Sequence, residues 1–296
     1  MRSGFVGIIG RPNVGKSTLI NSLIGTHVAI TSDKSGTTRN IIQGIYNDDE
    51  TQIVFVDTPG IHKPISKLGG LLNKQAYYTV EDVDVLLFLV DVTSKFGKGD
   101  EFVIEKLKEA GKPVILILNK IDKIKKHEIL EIITTYKDLF AFCEIIPVSA
   151  LKNDGVEVII KTLRNHLPDA VAYFPSEVKT SSSEEFMIAE IIREKVLRLT
   201  KEEVPHGVTC LVEKIDERAN HTHINALIVV DRNSIKKIIV GHQGSMIKEI
   251  GTKAKEDIEK LLNKKIYLEL FVKVINNWRD KEKYLSEFGF NNFLDK

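Results

Sequence analysis

The chain has 296 residues, with 42 lysines and arginines against 41 aspartates and glutamates, for a formal net charge of +1. This length is sufficient for two domains, and the near-zero charge means that any surface for nucleic acid must be local. Cys143 and Cys210 lack metal-ligand spacing and are expected to be free thiols in a reducing cytosol. No apolar run approaches the roughly 20 residues that span a bilayer, so we expect a cytoplasmic protein, with peripheral membrane contact left open.

From residue 5 to about 167, apolar strand patterns alternate with amphipathic helix patterns. The polar connection 46–51 predicts one hairpin, and the rest predicts a mostly parallel six-stranded sheet with helices on both faces. Ligands of such sheets bind at the carboxyl ends of the strands. The predicted strands are Phe5–Gly10, Ile41–Asn47, Gln52–Asp57, Asp84–Val92, Pro113–Asn119 and Glu144–Ser149.

A phosphate-binding loop lies between the first strand and the first helix. Residues 10–17 fit the pattern G-x-x-x-x-G-K-[ST], and a helix pattern begins at Ser17 and includes Thr18. The backbone N–H groups of such a loop and the positive end of the helix dipole point at an anion. Lys16 can reach the β- and γ-phosphates, and the Ser17 hydroxyl can ligate Mg²⁺. The sequence therefore predicts a nucleoside triphosphate site made by Gly10, Arg11, Pro12, Asn13, Val14, Gly15, Lys16, Ser17 and Thr18.

Two further segments are expected to meet the γ-phosphate and its metal ion. Asp57-Thr58-Pro59-Gly60 closes the third strand, so that Asp57 can hold Mg²⁺ through a water and the Gly60 N–H can face the phosphate. The loop 36–39 supplies a threonine for the metal shell, and we choose Thr38 over Thr37. We therefore expect Lys16, Thr38 and Gly60 to act on the transferred phosphate, and Ser17, Thr38 and Asp57 to hold Mg²⁺.

The ends of the fifth and sixth strands predict a guanine site. The Asp122 carboxylate can accept from both the N1–H and the 2-amino group of guanine, which adenine cannot match. Asn119 closes the fifth strand, and the aliphatic stem of Lys120 can cover the base. Ser149 and Ala150 offer backbone N–H groups to the guanine O6.

These five motifs, in this order, resemble the translation-factor-related branch of P-loop GTPases over residues 5–167. Small Ras-like GTPases place a glutamine after the D-x-x-G glycine, whereas this chain has Ile61, which cannot orient a water. We therefore expect slow intrinsic hydrolysis of GTP to GDP and phosphate. In some GTPases an asparagine at the position of Asn13 holds K⁺, and the alternative is that Asn13 only fits the turn.

The second part of the chain has a different order of elements. Residues 169–184 lack periodicity and are interpreted as a linker between domains at 1–168 and 185–296. A helix over Glu184–Thr200 is followed by strands at Gly207–Asp216 and His223–Asp231, two helices, and a strand at Lys265–Val274. A last helix is predicted over Asn276–Phe288. The apolar face of the helix that follows Gly244 is predicted to consist of Ile247, Ile250, Ala254, Ile258 and Leu261.

A G-x-x-G loop, Gly241–Gly244, joins the two helices of this part. Two glycines let the backbone approach a sugar-phosphate chain, and residues 236–273 hold nine lysines against five acidic residues. A protein-docking module is the alternative interpretation. The residues predicted to contact RNA are Ile239, Val240, Gly241, His242, Gln243, Gly244, Ser245 and Lys248.

The order of these elements resembles a prokaryotic-type (type II) KH domain of α+β class, which grips single-stranded RNA. A P-loop GTPase followed by this domain resembles the Era family over essentially the whole chain. The resemblance implies binding to 16S ribosomal RNA near its 3′ end, a role in assembly of the 30S subunit, and peripheral association with the cytoplasmic face of the inner membrane. It also implies a monomer that uses GTP and Mg²⁺.

We therefore expect a molecular switch in which GTP orders the loops around Thr38 and 57–61 and alters RNA binding. Two alternatives stand beside it: a GTPase of RNA modification, and an interaction module in which GTP is barely turned over. The first would be expected to carry a modification-enzyme domain or a second phosphate-binding loop, and the sequence has neither.

Overall fold

The computed structural model of the chain describes residues 1–34, 36–61, 64, 66–200, 204–218 and 221–291. The chain divides into two units. The first comprises Met1–Ala29, Thr38–Pro64 and Gly69–Ser181, and the second comprises Ile30–Thr37, Ile65–Leu68 and Ser182–Lys296.

The first unit is built on a six-stranded sheet. Its strand order is β2-β3-β1-β4-β5-β6, with β2 antiparallel to β3 and the remaining pairs parallel. Every residue of β3, β4 and β5 is buried, which accounts for their continuous apolar sequences. The strands are β1 (Arg2–Ile9), β2 (Ile42–Asn47), β3 (Thr51–Asp57), β4 (Val85–Asp91), β5 (Val114–Asn119) and β6 (Glu144–Val148).

Within the described residues, five helices flank this sheet. Between the third and fourth strands the structure has the helix α2, which was not among the helices named from the sequence. Gly69 and Gly70 weaken the helical pattern there, and tertiary packing outweighs their low propensity, since Leu72 and Ala76 are buried. The helices are α1 (Lys16–Ile24), α2 (Lys67–Glu81), α3 (Lys98–Ala110), α4 (Lys126–Tyr136) and α5 (Val156–His166).

The segment that follows the first domain, interpreted above as a linker, is hydrogen-bonded to the first unit. The Ile45 N–H donates to the Lys179 carbonyl at 2.8 Å, and the Gln52 side chain accepts from the Tyr173 N–H at 2.6 Å. Thr180 also donates to the carbonyl of Gln43 at 2.8 Å. The segment therefore covers the edge strand β2, whose backbone groups would otherwise be unpaired.

The second unit holds a three-stranded sheet in the order β7-β8-β9. β7 and β8 are antiparallel, with an irregularity between Val212 and Lys214, and β8 and β9 are parallel. The apolar faces of α6, α7 and α8 pack with the sheet in one core. The elements are α6 (Glu184–Leu199), β7 (Val208–Glu217), β8 (Thr222–Val230), α7 (Asn233–Val240), α8 (Ser245–Leu262), β9 (Ile266–Val274) and α9 (Glu282–Glu287).

Two sequence-based expectations for this unit are wrong in detail. The continuous helix over 276–288 is instead a 3₁₀ turn at Trp278–Asp280 followed by the short α9. Burial of Trp278, whose indole N–H donates to the Gly207 carbonyl at 3.1 Å, holds this turn against the core. Leu261 is 40% exposed, and its neighbour Leu262 packs against the core because it lies four residues after Ile258.

Candidate functional site

The phosphate-binding loop runs from the end of β1 to the first residue of α1. Gly10, Asn13 and Gly15 all have positive φ, at 156°, 64° and 102°. A Cβ atom on Gly15 would lie 2.4 Å from the Asn119 side-chain nitrogen, so the close approach of β5 requires glycine there. The loop is therefore shaped by residues that tolerate this backbone path, and it opens at the N-terminus of α1, where an anion is favoured.

Lys16 is buried within this loop, with 6% of its surface exposed. Its ammonium donates to the carbonyl oxygens of Gly10 at 3.3 Å and Arg11 at 3.1 Å. Burial lowers the pKa of Lys16 to about 8, and the charge of Asp57 partly opposes this. The ammonium is therefore only weakly held in its charged form until an anion binds.

Three oxygen ligands expected for Mg²⁺ lie together. The Ser17 hydroxyl donates to Asp57 Oδ2 at 2.8 Å and lies 3.0 Å from the Thr38 hydroxyl, which donates to the same carboxylate oxygen at 3.2 Å. Thr37, the alternative considered, instead bonds to Ser32 and to the Lys34 carbonyl. The structure thus brings Thr38, and not Thr37, to Ser17 and Asp57.

The electrostatics of Asp57 fit a cation at this place. The residue is fully buried, and burial raises the pKa of its carboxyl, while Lys16 and the hydroxyls of Ser17 and Thr38 act to lower it. Its second oxygen, Oδ1, is buried without a hydrogen-bond partner among the described residues. An all-oxygen set with an unpaired carboxylate oxygen is the chemistry that Mg²⁺ prefers.

The segment after Asp57 lies against the phosphate-binding loop. Thr58 is buried and donates to the Ile8 carbonyl at 2.9 Å, and Pro59 is buried beside it. A Cβ atom on Gly60 would lie 2.9 Å from Pro12 N and Cα, so the Gly60 backbone contacts the loop directly. Ile61 is 3% exposed and belongs to the hydrophobic core, so its side chain cannot place a water.

The ends of β5 and β6 form the expected base site. Asn119 is buried; its amide donates to the Val14 carbonyl at 2.8 Å and accepts from the Ala150 N–H at 3.0 Å. The Ser149 hydroxyl donates to Asp122 Oδ1 at 2.5 Å, and Asp122 is exposed, which leaves its carboxylate open to a ligand. The two motifs therefore meet, as a base site requires.

Lys120 bridges the base site and the phosphate-binding loop. Its ammonium donates to the Asn13 carbonyl at 2.8 Å and to Asp91 Oδ2 at 2.5 Å. This ion pair and a bond from Thr93 hold the pKa of Asp91 below its usual value against the effect of burial. Sequence reasoning missed Asp91, although its position at the end of β4 was a usable signal.

The G-x-x-G loop joins α7 to α8 with two positive-φ glycines, Gly241 at 71° and Gly244 at 79°. A Cβ atom on Gly241 would lie 2.7 Å from the Cβ of Met246, so glycine is required by close approach as well. The exposed residues of the set are His242, Gln243, Ser245 and Lys248.

One member of the predicted RNA-contact set does not face a ligand. Ile239 has no exposed surface and packs in the core of the second unit, because it lies on the inner face of α7. The assignment of Ile239 to direct RNA contact is corrected accordingly. Val240 and Gly241 are half-buried at the end of that helix.

Comparisons with known proteins match both parts of the chain. Residues 5–120 match the family model described as 50S ribosome-binding GTPase, and residues 203–279 match the KH domain model. A solved structure of Era from Aquifex aeolicus, a single-residue variant bound to GDP and AlF₄⁻, is 39% identical with a TM-score of 0.92, covering 98% of this chain and 99% of that one.

A second solved structure is Era in complex with MgGDPNP and nucleotides 1506–1542 of 16S ribosomal RNA. It is 40% identical, with a TM-score of 0.95, and the match again covers 98% of this chain and 99% of that chain. The two matches therefore include both the mostly parallel GTPase fold and the KH domain of this chain. This chain belongs to the Era family of GTPases.

Proposed function

We propose that this GTPase binds 16S ribosomal RNA near its 3′ end through its KH domain and assists assembly of the 30S subunit. The observation that carries the proposal is 40% identity over 98% of the chain to an Era that was solved with that RNA. The exposed loop Gly241–Gly244 supports it, since its backbone and the N-terminus of the 18-residue α8 are available to a phosphate chain.

Binding of an RNA with the sequence of nucleotides 1506–1542 tests the RNA site. Gly241→Asp and Gly244→Asp place a negative charge at the loop and should abolish binding. Because both substitutions also strain a positive-φ backbone, Lys248→Gln provides a milder test.

The matched control for Lys248→Gln is Lys260→Gln, another exposed lysine of the same helix, in its last turn. Loss of a phosphate contact should weaken binding and lower the salt slope by about 1 for Lys248→Gln, and leave both unchanged for Lys260→Gln. Unchanged RNA binding in all loop variants would remove the KH assignment.

The assembly role is tested in cells depleted of the natural protein. Wild-type protein should restore the normal ratio of 30S to 70S particles in a sucrose gradient, and Gly241→Asp should leave precursor 30S particles. If Gly241→Asp restores assembly fully, RNA binding through this loop is not the function.

We propose Mg²⁺ as the metal of the nucleotide site, held by Ser17, Thr38 and Asp57 directly or through water. These oxygens lie within 3.2 Å of one another, and Asp57 Oδ1 has no partner among the described residues. When bound, the ion neutralises charge that develops on the phosphate oxygens. This chain's residues then orient the triphosphate: Lys16 binds the β- and γ-phosphates, and the Gly60 N–H and the loop at Thr38 face the γ-phosphate.

We propose K⁺ as a second cation, held by the side chain of Asn13. The support for this proposal is that Asn13 lies within the phosphate-binding loop, with positive φ and with its backbone carbonyl accepting from Lys120. Turnover should be faster in K⁺ than in Na⁺ buffer, and Asn13→Ala should remove the difference. Equal rates for the wild type would remove K⁺ from the proposal.

We also propose that the switch acts as a monomer with peripheral membrane contact, both implied by the family resemblance. Among the described residues no helix is long and apolar enough to cross a membrane. Flotation with anionic vesicles tests the membrane contact, and light scattering tests the monomer. Failure to float would contradict the membrane contact, and a stable dimer would contradict the monomer.

A further inference from the structure

Arg11 of the phosphate-binding loop forms an ion pair with the first turn of α3. Its Nη1 lies 3.2 Å from Asp100 Oδ2, and Asp100 is 2% exposed while Arg11 is 26% exposed. Burial raises the pKa of Asp100, and the Arg11 charge acts against this rise. Because a buried carboxylate is costly without a partner, the position of Arg11 is strongly tied to that of Asp100.

The Asp100 side chain is itself fixed. The same oxygen, Oδ2, accepts from the Gly97 N–H at 3.2 Å, and the Asp100 N–H donates to the Gly97 carbonyl at 2.8 Å. This reciprocal cap ties the carboxylate to the start of α3. The ion pair therefore joins the loop to a rigid helix end.

The aliphatic stem of Arg11 lies on the backbone of the same helix turn. A Cβ atom built on Gly99 would lie 2.7 Å from Arg11 Cδ and 3.4 Å from Cγ. Gly99 has no positive φ, so its backbone does not need glycine, and a Cβ atom at this position would displace the Arg11 side chain. The first turn of α3 therefore contacts both the stem and the charged end of the Arg11 side chain.

The Arg11 backbone and its neighbour Pro12 contact residues of the phosphate site. Its backbone carbonyl accepts from the ammonium of Lys16 at 3.1 Å, and its neighbour Pro12 contacts Gly60. Both Lys16 and Gly60 are expected to meet the triphosphate. A displacement of the Arg11 backbone would therefore change the positions of the groups that are expected to hold the nucleotide.

We propose that Asp100 is a positioning residue for nucleotide binding, which through Arg11 holds the phosphate-binding loop in the shape that retains GDP and GTP. The first turn of α3 then sets the rate of nucleotide release.

The test is the dissociation rate of a fluorescent GDP chased with excess GDP. Asp100→Asn and Arg11→Ala should each speed release about tenfold, and the double variant should be no faster than either single variant, as coupled residues of one ion pair behave. Lys106→Ala with Glu109→Ala is the control, because it removes an exposed 2.7 Å ion pair from the same helix. It should leave the rate unchanged.

Gly99→Ala separates positioning from general destabilisation. Alanine favours the helix, so the substitution should not lower the unfolding temperature of the nucleotide-free protein, yet it displaces Arg11 and should speed release. In the Arg11→Ala background the same substitution should have no effect on release. Equal effects of Gly99→Ala in both backgrounds, additive effects of Asp100→Asn and Arg11→Ala, or unchanged release rates would each overturn the proposal.

Discussion

The Ser17 hydroxyl donates to the buried carboxylate of Asp57 at 2.8 Å, which joins the start of α1 to the end of β3. This bond places two of the expected Mg²⁺ ligands from distant parts of the sequence at one edge of the sheet. Asp57→Asn keeps the shape and removes the charge, so the Mg²⁺ concentration for half-maximal GTP hydrolysis should rise about 10- to 100-fold.

A magnesium titration of hydrolysis measures this shift. Asp49→Asn, in an exposed turn of the same unit, is the control and should behave as wild type. An unchanged magnesium requirement in Asp57→Asn would show that the carboxylate does not serve the metal.

Lys16 should take up a proton when GDP binds at pH 8. Its pKa is about 8 without ligand, so about half of the lysines are neutral there, and the negative phosphates raise the pKa and favour the charged form. Calorimetry in buffers of different ionisation enthalpy should give an uptake of about half a proton, which vanishes near pH 6. Lys16→Arg is always charged and should show no such uptake. Equal uptake by both proteins would contradict the assignment.

Asp122 should decide the choice of base. Asp122→Ala removes two charge-assisted hydrogen bonds to guanine, each worth about 1.5–3 kcal/mol, so GTP affinity should fall by about 100-fold or more. ATP affinity should change little, since adenine never used the carboxylate. Competition binding with both nucleotides checks this, and a variant that keeps its preference for GTP would place the base elsewhere.

Ile61 should matter for stability and not for chemistry. Ile61→Gln places an amide at a site that is 3% exposed, so the free energy of unfolding should fall by about 1–3 kcal/mol. The single-turnover hydrolysis rate should not rise, because the side chain belongs to the core. Ile61→Leu, which keeps the site apolar, is the control. A faster rate in Ile61→Gln would show that this side chain reaches the attacking water.

The sequence motifs predicted which segments meet at one edge of the sheet, because four of the five motifs follow the ends of parallel strands. Asp57, Asn119 and Ser149 lie far apart in the chain, yet the sheet topology alone brings them to one edge. The pair formed by Arg11 and Asp100 could not be found this way. It depends on where the first turn of α3 packs, and no local pattern encodes that position.

The sequence pattern also did not predict which side chains are buried at several positions. Ile239 and Leu261 are both large aliphatic residues in helices. Ile239 is fully buried, whereas Leu261 is 40% exposed. The difference comes from which face of each helix packs against the core. The 3₁₀ turn at Trp278 arises in the same way, since a tertiary hydrogen bond to Gly207 overrides the helical pattern.

The switch requires the nucleotide state to control RNA binding, and the RNA affinity of each nucleotide state decides whether it does. The affinity for an RNA with the sequence of nucleotides 1506–1542 should be measured with GDPNP, with GDP and without nucleotide, at one salt and Mg²⁺ concentration. We expect different RNA affinities in the GDPNP and GDP states. Linkage then requires RNA to change the GDPNP affinity by the same factor by which GDPNP changes the RNA affinity. Identical RNA affinities in all three states would contradict the switch.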